Sequence, residues 1–197
     1  MRRRRVVTVL YLISASLSAA RNVVPKTPPP DVYLITIDTV RADHIHCYGY
    51  NRIQTPGLDT LAADGVRFSQ AFTPSPVTNT SHTSIFTGLM PGTHGVMDFG
   101  VPLSAEYPTL PELLKQDGYI TAAFIGSVIL DSRKFAPGLD KGFDYYDNFA
   151  DATGVKSRWN RLERRAAVVA EHAETWLNTH TGKPRFVWTP SPHGAIN

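Results

Sequence analysis

The chain has one cysteine, Cys47, among its 197 residues. A single cysteine excludes an intrachain disulfide and a cysteine-rich zinc site, and leaves Cys47 to be read as a half-buried loop thiol. No GxGxxG or P-loop pattern occurs, so nucleotide binding has no support. Internal repeats are absent too, which excludes solenoid and propeller architectures. Basic charge is scarcer than the formal net charge of +3 suggests, because four of the twenty Lys and Arg residues are Arg2 to Arg5. Without residues 1–20 the chain carries 16 basic against 17 acidic residues, a net of −1. Nothing in that balance points to nucleic acid or an anionic surface as a partner. What remains is 42% hydrophobic and modestly charged, the composition of a globular chain long enough for one domain with a real core.

The first twenty residues have the form of a targeting segment. Arg2 to Arg5 supply a charged start, Val6 to Ala15 an apolar run, and Ser18-Ala19-Ala20 small residues for cleavage after Ala20. The apolar run is too short to cross a bilayer comfortably, and no cysteine follows it to carry a lipid. Export to the periplasm or exterior is the expectation, with an uncleaved N-terminal membrane anchor as the alternative. Residues 21–30, ending in Pro28-Pro29-Pro30, read as an extended linker into the folded part.

Val32 to Ile37 is a near-continuous apolar run, the pattern of a parallel strand buried on both faces. It ends at Asp38. Open α/β sheets gather ligand-binding groups at the carboxyl ends of their strands, so Asp38 reads either as such a group or as the cap of the next turn. Thr55-Pro56 opens a helix with Leu58, Leu61 and Ala62 on its apolar face and Gly65 at its end. Val66 to Phe68 with Ala71-Phe72 is expected as a short strand. Thr109-Leu110-Pro111-Glu112 has capping-box spacing and starts a helix that runs to Gly118. Tyr119 to Ile125 is a second buried strand, and residues 131–154 read as a long loop. A long helix is expected from Ser157 to Asn178, with Trp159, Leu162, Ala166, Val169, Ala173, Trp176 and Leu177 at helical spacing. Arg161, Arg164 and Arg165 fall on its solvated side beside Glu163. Arg185 to Trp188 begins a further strand. The alternation of strands and helices predicts an α/β fold, a mostly parallel sheet sandwiched by helices.

Between two proline-bearing loops lies S-P-V-T-N-T-S-H-T-S-I-F-T-G, residues 75–88. It has too many hydroxyls for an ordinary helix and too little apolar surface for core. Hydroxyls at the start of a short helix act as caps, or one of them acts as a nucleophile. The residues alone leave both open.

With Asp38 and this stretch together, the chain resembles the sulfatase family of the alkaline-phosphatase superfamily. The resemblance rests on L-I-T-I-D-T-V-R-A-D-H at 34–44, C-Y-G-Y at 47–50, S-H-T-S-I-F-T-G-L-M-P at 81–91 and T-H-G-V at 93–96. It continues through L-L-K-Q-D-G-Y-I-T-A at 113–122 and G-F-D-Y-Y-D at 142–147, so that it spans about residues 31–190. It implies an alkaline-phosphatase-like fold and hydrolysis of sulfuric or phosphoric esters by metal-assisted attack of a hydroxyl. Asp38 would then be a ligand of a divalent metal, Ca²⁺ or Mg²⁺ with Mn²⁺ and Zn²⁺ as further options. Aligning the family's nucleophile motif on Thr87-Gly88 places the nucleophile, also a metal contact, at Thr78. Thr80, Ser81 and His82 then fill the slots of the motif's Pro, Ser and Arg. Ser81 and His82 would face a small anionic ester, His82 as donor to an oxyanion or, without that role, as a helix-surface histidine.

The departures from the family pattern are informative. A threonine cannot be converted to formylglycine, so Thr78 would attack as a plain hydroxyl, closer to phosphodiesterase and phosphonate monoester hydrolase relatives. Thr39 stands where the family has a second metal-binding Asp. The family's G-K-W-H segment has no counterpart around Gly126-Ser127-Val128. Thr189-Pro190-Ser191-Pro192-His193 is two residues short of the H-x-x-D-P-H-like segment and lacks its Asp. The expectation is a family member lacking the C-terminal part of the fold and its later metal ligands. Alternatives are an inactive fragment and an anion-binding module.

Overall fold

The computed structural model describes residues 29–149 and 163–191. The expected targeting segment, most of the linker, Trp159, Arg161 and Leu162 of the long helix, and Pro192-His193 lie outside them. Four strands form one parallel sheet: β1 (Val32–Ile37), β2 (Ile120–Phe124), β3 (Tyr145–Asp147) and β4 (Arg185–Ser191), in the order β1-β4-β2-β3. The helices are α1 (Pro56–Asp64), α2 (Thr78–Thr87), α3 (Pro91–His94), α4 (Leu110–Gln116) and α5 (Ala166–Thr179).

Successive side chains of a strand point to opposite faces, and the two central strands use this to build two cores. Ala123, Ile125, Phe186 and Trp188 face Phe86 of α2 together with Leu130, Ala136 and Leu139. Ala122, Phe124 and Val187 face Val169, Ala173 and Trp176 of α5. The result is a helix–sheet–helix sandwich, as the alternation of elements predicts. Burying a phenylalanine such as Phe124 or Phe186 completely contributes about 1.5–3 kcal/mol. The capping box of α4 forms as expected: the Glu112 N–H donates to Thr109 Oγ1, and the Thr109 N–H donates to Glu112 Oε2 at 2.9 Å.

Several expectations are corrected. β1 is not buried on both faces. Among the described residues it is one of the two edge strands, and Tyr33 and Ile35 are 51% and 59% exposed. Residues 66–72 form no strand; Val66, Phe68 and Phe72 stand in solvent, with no neighbouring strand among the described residues to pair with. The apolar side of α1 does not enter either core, since Leu61 is exposed and α1 buries no residue. It borders a shallow cleft shared with Ile45, Cys47 and Tyr48. The loop expected at 131–154 contains β3, which pairs with β2. The helix expected from Ser157 does not include residues 163–165: α5 begins at Ala166, and Glu163 forms an isolated bridge with Ser127. Arg164 is not a solvated residue. Its guanidinium donates to Asp147 Oδ2 at 2.7 Å, to the Ile125 carbonyl at 3.1 Å and to the Asn148 carbonyl at 2.9 Å. It ties the ends of β2 and β3 to the start of α5. Cys47 is half-buried and free, as expected.

Candidate active site

The hydroxyls of α2 separate by partner. Ser81 Oγ donates to the Thr78 carbonyl at 3.0 Å, Thr83 Oγ1 to Asn79 O at 2.8 Å and Thr87 Oγ1 to Thr83 O at 2.7 Å. These bonds back to the preceding turn spend the hydroxyls on the helix itself. Ser84 Oγ lies 2.9 Å from His94 Nε2, while His94 Nδ1 accepts the Val96 N–H at 3.1 Å. Nε2 therefore carries the proton and donates to Ser84. The pair cannot work as nucleophile and base, and burial holds the His94 pKa down. The Thr80 hydroxyl is buried without a partner. That leaves Thr78, the first residue of α2, half-buried, whose hydroxyl bonds to no described residue.

The helix start around Thr78 is open. Val77, its N-cap, has no side-chain oxygen to offer. Support comes from inside, where buried Asn79 accepts the Thr80 N–H at 3.0 Å and donates to the Asp98 carbonyl at 2.8 Å. Uncapped N–H groups and the helix dipole together favour an anion at this end.

His82 lies one turn further, 2% exposed. Its Nδ1 donates to the Thr78 carbonyl at 2.8 Å, and its Nε2 lies 2.9 Å from Thr36 Oγ1 of β1. The ring packs near Trp188 of β4, centroids 5.2 Å apart. His82 is thus not on the helix surface, and both its nitrogens have partners within the chain. Burial depresses its pKa, opposed by the Thr78 carbonyl and the Asp38 charge. Through His82, the start of α2 is bound to the carboxyl end of β1.

Asp38 follows that end directly, and its N–H donates to Ser191 O of β4 at 3.1 Å. The carboxylate is half-buried and accepts no hydrogen bond from a described residue. Burial raises its pKa, and His82 offsets this only in part. Thr39 is the one non-glycine among the described residues with positive φ, at 57°. A β-branched residue is strained there, and Thr39 is exposed. The sequence-predicted residues Asp38, Thr78, Ser81 and His82 therefore come together where β1 and α2 meet, with Thr39 on the rim.

The sulfatase family model matches residues 30–195. The chain belongs to the sulfatase family. It is 31% identical over 150 residues to the N-acetylglucosamine-6-O-sulfatase of Bacteroides thetaiotaomicron, covering 71% of this chain and 27% of that protein. Among solved structures, the phosphonate monoester hydrolase of Agrobacterium radiobacter superposes with a TM-score of 0.69 at 21% identity, covering 84% of this chain and 41% of that one. An enzyme in complex with its substrate D-glucosamine-2-N,6-O-disulfate gives 0.66 at 21% identity, covering 82% and 34%. These likenesses establish the alkaline-phosphatase-like fold. The chain spans between a quarter and a half of the length of these proteins.

Sulfatase-family proteins generally use a metal ion. The Asp38 carboxylate, which accepts no hydrogen bond from a described residue, is the kind of oxygen a hard cation takes. Yet no group of three His, Cys, Asp or Glu residues that could hold a metal occurs among the described residues. Asp38 with the Thr78 and Thr39 hydroxyls falls well short of the roughly six oxygens such an ion needs. The described residues do not by themselves make a divalent-cation site.

Reading the sequence missed Thr36, Trp188, Asn79 and His94. Thr36 did leave a signal, being the only aliphatic hydroxyl in the apolar run of β1. The others declare themselves only through tertiary contacts.

Proposed function

We propose that this sulfatase-family chain provides the nucleophile side of an ester-hydrolase site for small sulfate esters, sulfated sugars foremost. Phosphonate monoesters and phosphodiesters are the alternative substrates. The observation that carries the reading is the Thr78 hydroxyl, bonded to no described residue at the N-terminus of α2. The relatives support the substrate class, because one is named for a 6-O-sulfated amino sugar and another is bound to a sulfated glucosamine.

In this reading the ester's anionic oxygens meet the N–H groups at the start of α2, and Thr78 Oγ attacks sulfur. The sulfur–oxygen bond to the alcohol breaks, the alcohol leaves with the proton that Thr78 gives up, and a threonine sulfate remains. Water then cleaves this ester, releasing hydrogen sulfate and restoring the hydroxyl. Asp38 carries the negative charge on the β1 side. The test uses the purified 197-residue chain with added divalent ions on an aryl sulfate, a phosphonate monoester and a phosphodiester. Turnover that survives in Thr78→Ser and disappears in Thr78→Ala, with an adduct on Thr78 by mass spectrometry, is the expected result. A wild-type chain inert toward all three esters overturns it.

The single carboxylate that the described residues bring to the site favours a second reading, capture of the anion without turnover. It predicts saturable sulfate binding that Thr78→Ala weakens, in a chain that releases no alcohol.

A further inference from the structure

Two side chains outside the family motif's named slots, Trp188 and Thr36, converge on His82 and through it on Thr78. The Trp188 indole N–H is a donor only, and it points to Thr36 Oγ1 at 3.2 Å. The Thr78 carbonyl is an acceptor only, so His82 Nδ1, 2.8 Å away, must carry a proton. With its proton on Nδ1, neutral His82 has a bare Nε2, and the Thr36 hydroxyl, which accepts from Trp188, donates its own proton to it across 2.9 Å. Each group uses the one donor or acceptor capacity it has in that direction. The chain runs Trp188 to Thr36 to His82 to Thr78, and it links β4, β1 and α2 in one line. Trp188 is fully buried and braced edge-on by Phe86, centroids 4.7 Å apart, so the first member of the chain is fixed by the core. Histidine in this tautomer, protonated at Nδ1, is held by its partners and not by its own preference.

We propose that Trp188, Thr36 and His82 form a positioning relay that fixes the backbone of Thr78 and so aims its hydroxyl. His82 acts through the Thr78 carbonyl, not by touching the ester, and Thr36 is the positioning residue that anchors the ring at Nε2. The inference rests on the reading of Thr78 as the acceptor hydroxyl, but its test does not depend on turnover.

The test is heteronuclear NMR of the whole ¹⁵N-labelled chain, with Thr36→Val and Thr36→Ser beside it. Wild type is expected to show His82 protonated at Nδ1 and bare at Nε2, with a single Thr78 amide resonance. Thr36→Val removes the hydroxyl at constant shape, so the Nε2 shift should move and the Thr78 resonance should broaden or split, and Thr36→Ser should restore both. A wild-type ring protonated at Nε2 overturns the relay, a result that needs no variant to fold. So do His82 and Thr78 resonances unmoved in Thr36→Val. If the wild-type chain turns over an ester, Thr36→Val should lower kcat about tenfold and leave KM within about twofold; an unchanged kcat overturns the positioning role. A relay seen intact in a chain without turnover defeats the hydrolase reading and leaves the relay standing.

Discussion

A Cβ at position 142 would collide with the backbone nitrogen of Glu112 and stand 2.7 Å from its Cγ. Gly142 also has φ of 85°, which side-chain-bearing residues rarely adopt. Both constraints come from the turn that receives the start of α4, where Thr109 Oγ1 donates to the Lys141 carbonyl at 3.0 Å and Thr121 Oγ1 to the Gly142 carbonyl at 2.7 Å. Gly142→Ala should therefore destabilise the chain by about 2–3 kcal/mol, from backbone strain plus overpacking. Urea unfolding measures it, and a loss below about 0.5 kcal/mol, the scale of an ordinary surface change, would contradict the argument. Thr39 shows the opposite arrangement. There a β-branched residue keeps a left-handed backbone in solvent, directly after Asp38. Strain of this kind persists only where the surroundings impose it, and the residue before Thr39, Asp38, is tied through its N–H to Ser191 O of β4.

Elements are joined by a few polar clamps, and one of them is sensitive to acid. Arg185 at the start of β4 pairs with Asp31 just before β1 and donates to the Leu177 carbonyl of α5 at 3.0 Å. The Arg185 hydrogen bonds hold the Asp31 carboxyl below the usual carboxylate range, about 4. A lowered folded-state pKa gives stability that is present above the unfolded value and lost as pH falls through the folded one. Asp31→Asn should thus be less stable than wild type at neutral pH, and the two should converge as the pH is taken below 4. Parallel melting curves at all pH values would refute the clamp. Elements with local signals were legible in the sequence: Thr109 and Glu112 announced α4, and Thr87-Gly88 fixed the phase of α2 and with it Thr78. Those that depend on a neighbour were not. Pro190 argues against a central strand, yet β4 continues through it to Ser191, opposite Ile37. β3 is three residues long and exists through its pairing with β2. Asp38 was readable as a strand-end carboxylate, whereas the Thr36–His82–Trp188 contacts join residues up to 152 positions apart and leave no periodicity to read.

At the scale of the whole molecule, several of the most exposed apolar side chains among the described residues fall on β1, α1 and the segment after α1. β1 ends the sheet, with a single strand partner among the described residues. Tyr33 and Ile35 on its open face, Leu61 of α1, and Val66, Phe68 and Phe72 beyond it are all exposed. Single exposed apolar residues are ordinary, but an unpaired strand edge with a row of them invites association. The other side of the sandwich differs, because α5 covers β2 and β4 with Val169, Ala173 and Trp176. The purified 197-residue chain should therefore bind a hydrophobic dye such as ANS while keeping a native near-UV spectrum, and should self-associate at micromolar concentration. The double change Tyr33→Lys and Ile35→Lys puts charge on the open edge without touching either core, and edge charges of this kind oppose strand pairing. It should lower dye binding and shift the sedimentation profile toward monomer, with the melting temperature nearly unchanged. A wild-type chain that sediments as one monomeric species and leaves the dye dark would show that this surface is quiet in water, and the edge argument would fall.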